Sequence, residues 1–247
     1  MSSPALALDS PDNFIVGIYR MGCVSAFVLL AYCVEMMVQI SILGGQPSSA
    51  AEAFRLLQSN KFVALLRMDL PTVFALPFYY FLFLALSTVC FRTDGLKSIL
   101  SALLIFAGVT LALSTPMALS MLPLSEKYAT ATTESARQQF LASGEAILAS
   151  DMWHSTGAYV GGLMVQVGAV LICLAMMKSP SFGKLVIWVG LAAHGIDLVH
   201  LLVAIALPKV GAVFMMIAGP MYPVWFWLVG RDLLRLARVQ VGQQSSD

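Results

Sequence analysis

His194, Asp197 and His200 recur at every third position of one apolar segment, and Asp151 and His154 repeat that interval at the start of the segment before it. On a helix each such step turns by about 300°, so the carboxylate at 197 is flanked on adjoining faces by two imidazoles. Imidazole and carboxylate together bind zinc or iron, or pass protons. Glu35 and Asp69 complete the acidic groups at or inside apolar segments. In one reading Glu35, Asp69 and Asp197 contact the polar groups of a ligand, while His194 and His200 tune it or relay protons. In another, His154, His194 and His200 hold zinc or iron beside Asp197, with Asp197 or Glu35 as base, since three protein ligands and a water suffice for hydrolysis. A compact HExxH motif is missing, and the segment HGIDLVH lacks the HxxxH spacing of the zinc site in alkaline ceramidase-like proteins. The plainer alternative is that these groups hydrogen-bond across helices.

What must position them follows from composition. The 247 residues are 59% hydrophobic and 11% charged, against about 45–50% and about 25% in soluble domains. A formal net charge of +1 gives no footprint for nucleic acid. Residues 70–91, 98–125 and 210–230 carry no Asp, Glu, Lys or Arg; of Asp, Glu, Lys, Arg and His, 152–177 contains His154 alone, and 185–208 is interrupted by His194, Asp197 and His200. Each run exceeds the roughly 20 residues that cross about 30 Å of hydrocarbon. A first stretch, 14–40, carries Arg20 near its start, placed to snorkel, and Glu35 near its end. Lipid offers no partner to unpaired backbone, and the alternation of a barrel strand is absent.

The expectation is an all-α integral membrane protein with a bundle of six transmembrane helices at about 14–40, 70–91, 98–120, 155–177, 184–207 and 211–230. They form one domain, 14–238, with tails at 1–13 and 239–247. No charged start followed by a small-residue cleavage site precedes Arg20, so the first helix is expected to stay attached. Arg92 and Lys97, Lys178 and Lys184, and Arg231, Arg235 and Arg238 flank one side, which predicts an inner-membrane protein with both termini cytoplasmic. Glu35, Asp69, Asp151, His154, Asp197 and His200 then converge on the outer leaflet, with His194 near the midplane.

Between spans, 49–62 reads as an interfacial amphipathic helix after the first span, and 133–150 as an amphipathic outer helical segment between the third and fourth. Gly157 and Gly161 stand at GxxxG spacing, which predicts close helix packing. Gly219, Pro220 and Pro223 predict a broken sixth span, beyond which Tyr222, Trp225 and Trp227 either line a cavity or face lipid. Cys23, Cys33, Cys90 and Cys173 form no CxxC pair and read as small core residues.

The order AEAFRLLQ before RMDLPTVFALP, then LSEKYATATTESARQQFLASGEAIL, MKSPSFGKLVIWVGL and YPVWFWLVGRDLLRL resembles a family of bacterial six-span membrane proteins, the domain-of-unknown-function 4386 family. The resemblance covers most of the chain, and the segment from Leu124 to Leu148 is its most distinctive part. It implies a fold and a membrane address without a reaction or catalytic residues. The leading functional expectation is a non-enzymatic membrane protein, with no cofactor, that binds or moves a small molecule or lipid through an outward-facing polar pocket among spans one, two, four and five. The alternatives are a zinc- or iron-dependent hydrolase of lipid and a structural or regulatory partner.

Overall fold

The computed structural model describes residues 11–244, with side chains from 13 to 242, and every regular element among them is a helix. Five segments are long and apolar enough to cross a membrane: Asn13–Ile42, Leu70–Ala112, Thr156–Met176, Lys184–Ala204 and Pro208–Gly242. Their outward surfaces carry Leu103, Phe106, Trp188 and Leu202, each about 60% exposed, which only a lipid solvent accommodates. This is a multi-pass membrane protein.

The first helix, α1 (Pro11–Ile42), is followed by three short ones, α2 (Ala50–Ser59), α3 (Lys61–Arg67) and α4 (Leu70–Ala75). Pro77 then opens α5 (Pro77–Ala112), which is two limbs rather than one rod. Asp94 breaks it at φ −152°, ψ 72°, and the limbs lie side by side: the Tyr80 and Thr110 hydroxyls are 2.9 Å apart, and the Tyr80 and Phe106 rings 5.2 Å. The Asp94 side chain pairs with Lys97 at 2.5 Å and with Lys178 at 2.9 Å, tying this bend to the end of α8 (Thr156–Met176).

The segment expected to cross over 98–120 stops earlier, because Pro116 disfavours helix at the preceding residue. The chain reopens as α6 (Ala118–Thr130), followed by α7 (Glu134–Ala149) with Thr133 as its N-cap. α2, α3, α6 and α7 form a cap with its own core of Phe54, Leu57, Met68, Met117 and Met121. α9 (Lys184–Ala204) returns along α8, and the last segment is broken at Gly219–Pro220 into α10 (Pro208–Ala218) and α11 (Met221–Gln244). The helix runs on through most of the expected C-terminal tail, whose last residues, like most of the N-terminal one, lie outside the described residues.

α8 packs along the second limb of α5 at Gly161 and Gly168. A Cβ at Gly161 would stand 2.5 Å from the Gly108 carbonyl oxygen, and one at Gly108 equally close to the Gly161 oxygen. The tight pair is therefore Gly161 with Gly108 across the interface; Gly157, the other half of the GxxxG spacing, meets only ordinary contacts. α1 packs against α11 and the first limb. Cys23, Cys90 and Cys173 are buried in this core, and Cys33 is half-buried.

Candidate functional site

Every membrane-length segment contributes to one cavity of about 500 Å³. Tyr32 comes from α1, Thr72 from α4, Tyr79 from the first limb of α5, Gln166 from α8, Asp197 from α9 and Tyr222 from the first turn of α11. Val109 and Ala112 of the second limb supply apolar wall, and Met152 and Trp153 stand at the cap end. The break at Gly219–Pro220 starts α11 where Tyr222 reaches Asp197.

A hydrogen-bond relay crosses three helices in the wall of this cavity. His194 Nδ1 lies 2.8 Å from Gln166 Oε1; the amide oxygen only accepts, so Nδ1 carries the hydrogen. Gln166 Nε2 donates to Asp197 Oδ2 at 2.6 Å, and the Tyr222 hydroxyl donates to the same oxygen at 2.8 Å. Among the described residues nothing donates a hydrogen bond to Asp197 Oδ1, and Asp197 lines the cavity. One carboxylate oxygen is thus fixed by two donors on neighbouring helices, and the other is available to a guest.

Aromatic rings set the frame. His194 packs edge-on between Tyr222 and Trp225, with centroids 5.1 and 4.6 Å away, and Tyr79 stacks on Phe83 at 5.9 Å and meets Phe226 edge-on. His200, one turn beyond Asp197, gives its Nδ1 hydrogen to the Gly211 carbonyl at 2.9 Å, and its Nε2 faces no protein partner on the cavity wall among the described residues. Tyr32 and Thr72 share a 2.8 Å hydrogen bond, and Tyr159 donates to the Leu201 carbonyl at 3.1 Å.

The expected ligand residues divide. Asp197 and His200 line the cavity, and His194 stands behind it, fully buried, with Nε2 unpartnered. Glu35 is half-buried on α1 away from the cavity lining, with Oε2 unpartnered one turn from the equally unpartnered Gln39 Oε1. Asp69 is buried under the cap, where Oδ1 accepts the Ala118 amide at 2.9 Å and Oδ2 the Met117 amide. It holds the start of α6; burial pushes its carboxyl above the ordinary range, and these two amides pull the other way. His154 pairs with Asp151 at 2.9 Å at the cap edge, 62% exposed. Among the described residues no three His, Cys, Asp or Glu side chains gather as a metal set, so His154, His194, Asp197 and His200 do not converge.

Among the aromatics expected beyond the break, Tyr222 lines the cavity, Trp225 is buried behind it, and Trp227 is about half exposed and packs on Phe27 at 5.7 Å. Gln166 was legible as a carboxamide in the middle of an apolar span, where hydrocarbon obliges it to find partners, yet charge and imidazole alone do not single it out. Tyr32, Thr72 and Tyr159 carry no comparable signal, because hydroxyls on membrane helices commonly bond to neighbouring backbone. No family model, curated protein or solved structure matches the chain.

Proposed function

We propose that this chain crosses the inner membrane six times, with the two limbs of α5 as separate spans, and binds or carries a small molecule or lipid in the cavity that Asp197 lines. Both termini then lie in the cytoplasm and the cap on the outer side, with α2 at the outer interface. The basic bend around Lys97 and Lys178 faces inward, as the positive-inside rule prefers. The family of six-span proteins that the sequence resembles is compatible with this path and adds no reaction to it.

One observation carries the functional reading: a carboxylate within a membrane-length helix has one oxygen tied down by Gln166 and Tyr222 and the other without a protein partner, on a cavity of about 500 Å³. An ionisable group held in hydrocarbon is costly, and such residues mark ligand or ion paths. The volume falls in the roughly 300–1,000 Å³ range of small-molecule sites. The break between α10 and α11 beside it is the kind of discontinuity around which transporter sites are built.

Adjacent cysteines on α9 test this. Leu201 lines the cavity, and Leu202, at the same depth, is 59% exposed on the outer face of the helix. In a protein freed of its native cysteines, a charged, water-soluble thiosulfonate added from the cap side is expected to modify Leu201→Cys and spare Leu202→Cys. Equal protection of both would overturn the reading.

A further inference from the structure

The donors and acceptors on the cavity wall are unbalanced. Among the described residues Asp197 is the one carboxylate there, and neither lysine nor arginine lines the cavity. His200 spends its Nδ1 hydrogen on the Gly211 carbonyl. The hydroxyls of Tyr222 and Tyr159 are likewise committed, to Asp197 and to the Leu201 carbonyl. What the wall lacks is a permanent positive charge, and a carboxylate in a membrane interior calls for a cation.

The rest of the lining narrows the kind of cation. Tyr32, Tyr79, Tyr159, Tyr222 and Trp153 bring aromatic rings to the cavity, and the π faces of such rings attract alkylammonium groups. Between them Leu76, Val109 and Val165 form apolar wall. The space is far larger than a bare metal ion needs, and among the described residues no set of three His, Cys, Asp or Glu gathers to hold one.

From this we propose, resting on the binding reading above, that the ligand is a monovalent organic cation: a protonated amine or quaternary ammonium carried on an apolar body. Its charged head sits against Asp197 Oδ1 among the tyrosine rings, and its apolar part lies along Val109 and Val165. An anion would meet a carboxylate with no lysine or arginine on the wall to offset it, and a neutral body would leave that carboxylate unpaired.

The test is equilibrium dialysis of the full chain in zwitterionic lipid nanodiscs, with empty nanodiscs subtracted. The probes are benzyltrimethylammonium, its neutral isostere neopentylbenzene, and the anion 4-tert-butylbenzoate. The expected result is binding of the cation on the order of tenfold tighter than of the isostere, with the anion weaker still. In Asp197→Asn the cation's advantage should disappear. The wild-type ratio between cation and isostere decides the matter alone if that variant does not fold. Should the isostere or the anion bind as tightly as the cation, the cation assignment falls and the cavity reading stands. Should none of the three bind, the cation assignment falls, and the cysteine pair on α9 decides separately whether the cavity is open to water.

Discussion

Asp69 under the cap spends both oxygens on the backbone amides of Met117 and Ala118, whereas Asp197 in the bundle spends Oδ2 on Gln166 and Tyr222 and leaves Oδ1 over a cavity. Asp151 belongs with Asp69. Its Oδ1 accepts the amides of Trp153 and His154 at 2.8 Å each, and its Oδ2 accepts Gln46 Nε2 at 2.7 Å. The cap thus uses its buried carboxylates as staples between chain segments, with their accepting capacity filled by the fold. The bundle holds a carboxylate that the fold only half satisfies. A carboxylate oxygen that opens onto a cavity inside a membrane-length helix is the part of the structure that calls for a ligand.

Substitutions can break this contrast in order of expected size. Asp69→Asn sets an amide nitrogen against a backbone N–H and strands the start of α6, so unfolding in detergent is expected to lose about 3 kcal/mol, with the cap melting first. Gly161→Leu drives a side chain into the Gly108 carbonyl and should cost about 2 kcal/mol through separation of α5 from α8, read from the same melts. Gln46→Ala removes one bond to Asp151 and should cost about 1 kcal/mol.

Acid sharpens the contrast from the cap side. The Ser48 backbone amide holds the Glu52 carboxyl below its ordinary 4.5, with the Ser48 hydroxyl and Arg67 adding to the effect. A lowered folded value means that its contribution to stability is complete above that ordinary value and fades as pH falls through the lowered one. Protection of the α2 amides, relative to their intrinsic exchange rate at each pH, should therefore fall below about pH 4.5 while the centre of α8 stays protected. The smallest effect belongs to Lys61 and Glu126, an ion pair 63% exposed on both sides, so Lys61→Ala should leave the melting curve unchanged.

The membrane-length helices, and the helices near 49–62 and 133–150, could be read from residue order, because apolar length and the 3.6-residue period are local properties. The same holds for Asp197 and His200 as polar groups in hydrocarbon. The different fates of Asp69 and Asp197 could not be read this way. Both are single carboxylates next to apolar runs, and the Met117 amide that fills Asp69 is nearly fifty residues away, reached only once Pro116 has ended α5 and the chain has restarted as α6. Glu35 looked equivalent to Asp197 for the same reason, yet the rotation of α1 turns Tyr32 and Cys33 towards the cavity in its place. Helix rotation and nonlocal backbone partners are tertiary facts, and charge spacing along one segment does not encode them.

The most direct measurement of the central contrast is the unfolding midpoint of Asp197→Asn beside that of the wild type in the same detergent. An asparagine keeps an oxygen for Gln166 and Tyr222, points its amide into the cavity and removes a charge from the membrane interior. The account predicts a stability within about 0.5 kcal/mol of wild type, or above it, as expected where a side chain serves binding more than folding. A loss as large as that of Asp69→Asn would contradict it and make Asp197 another staple.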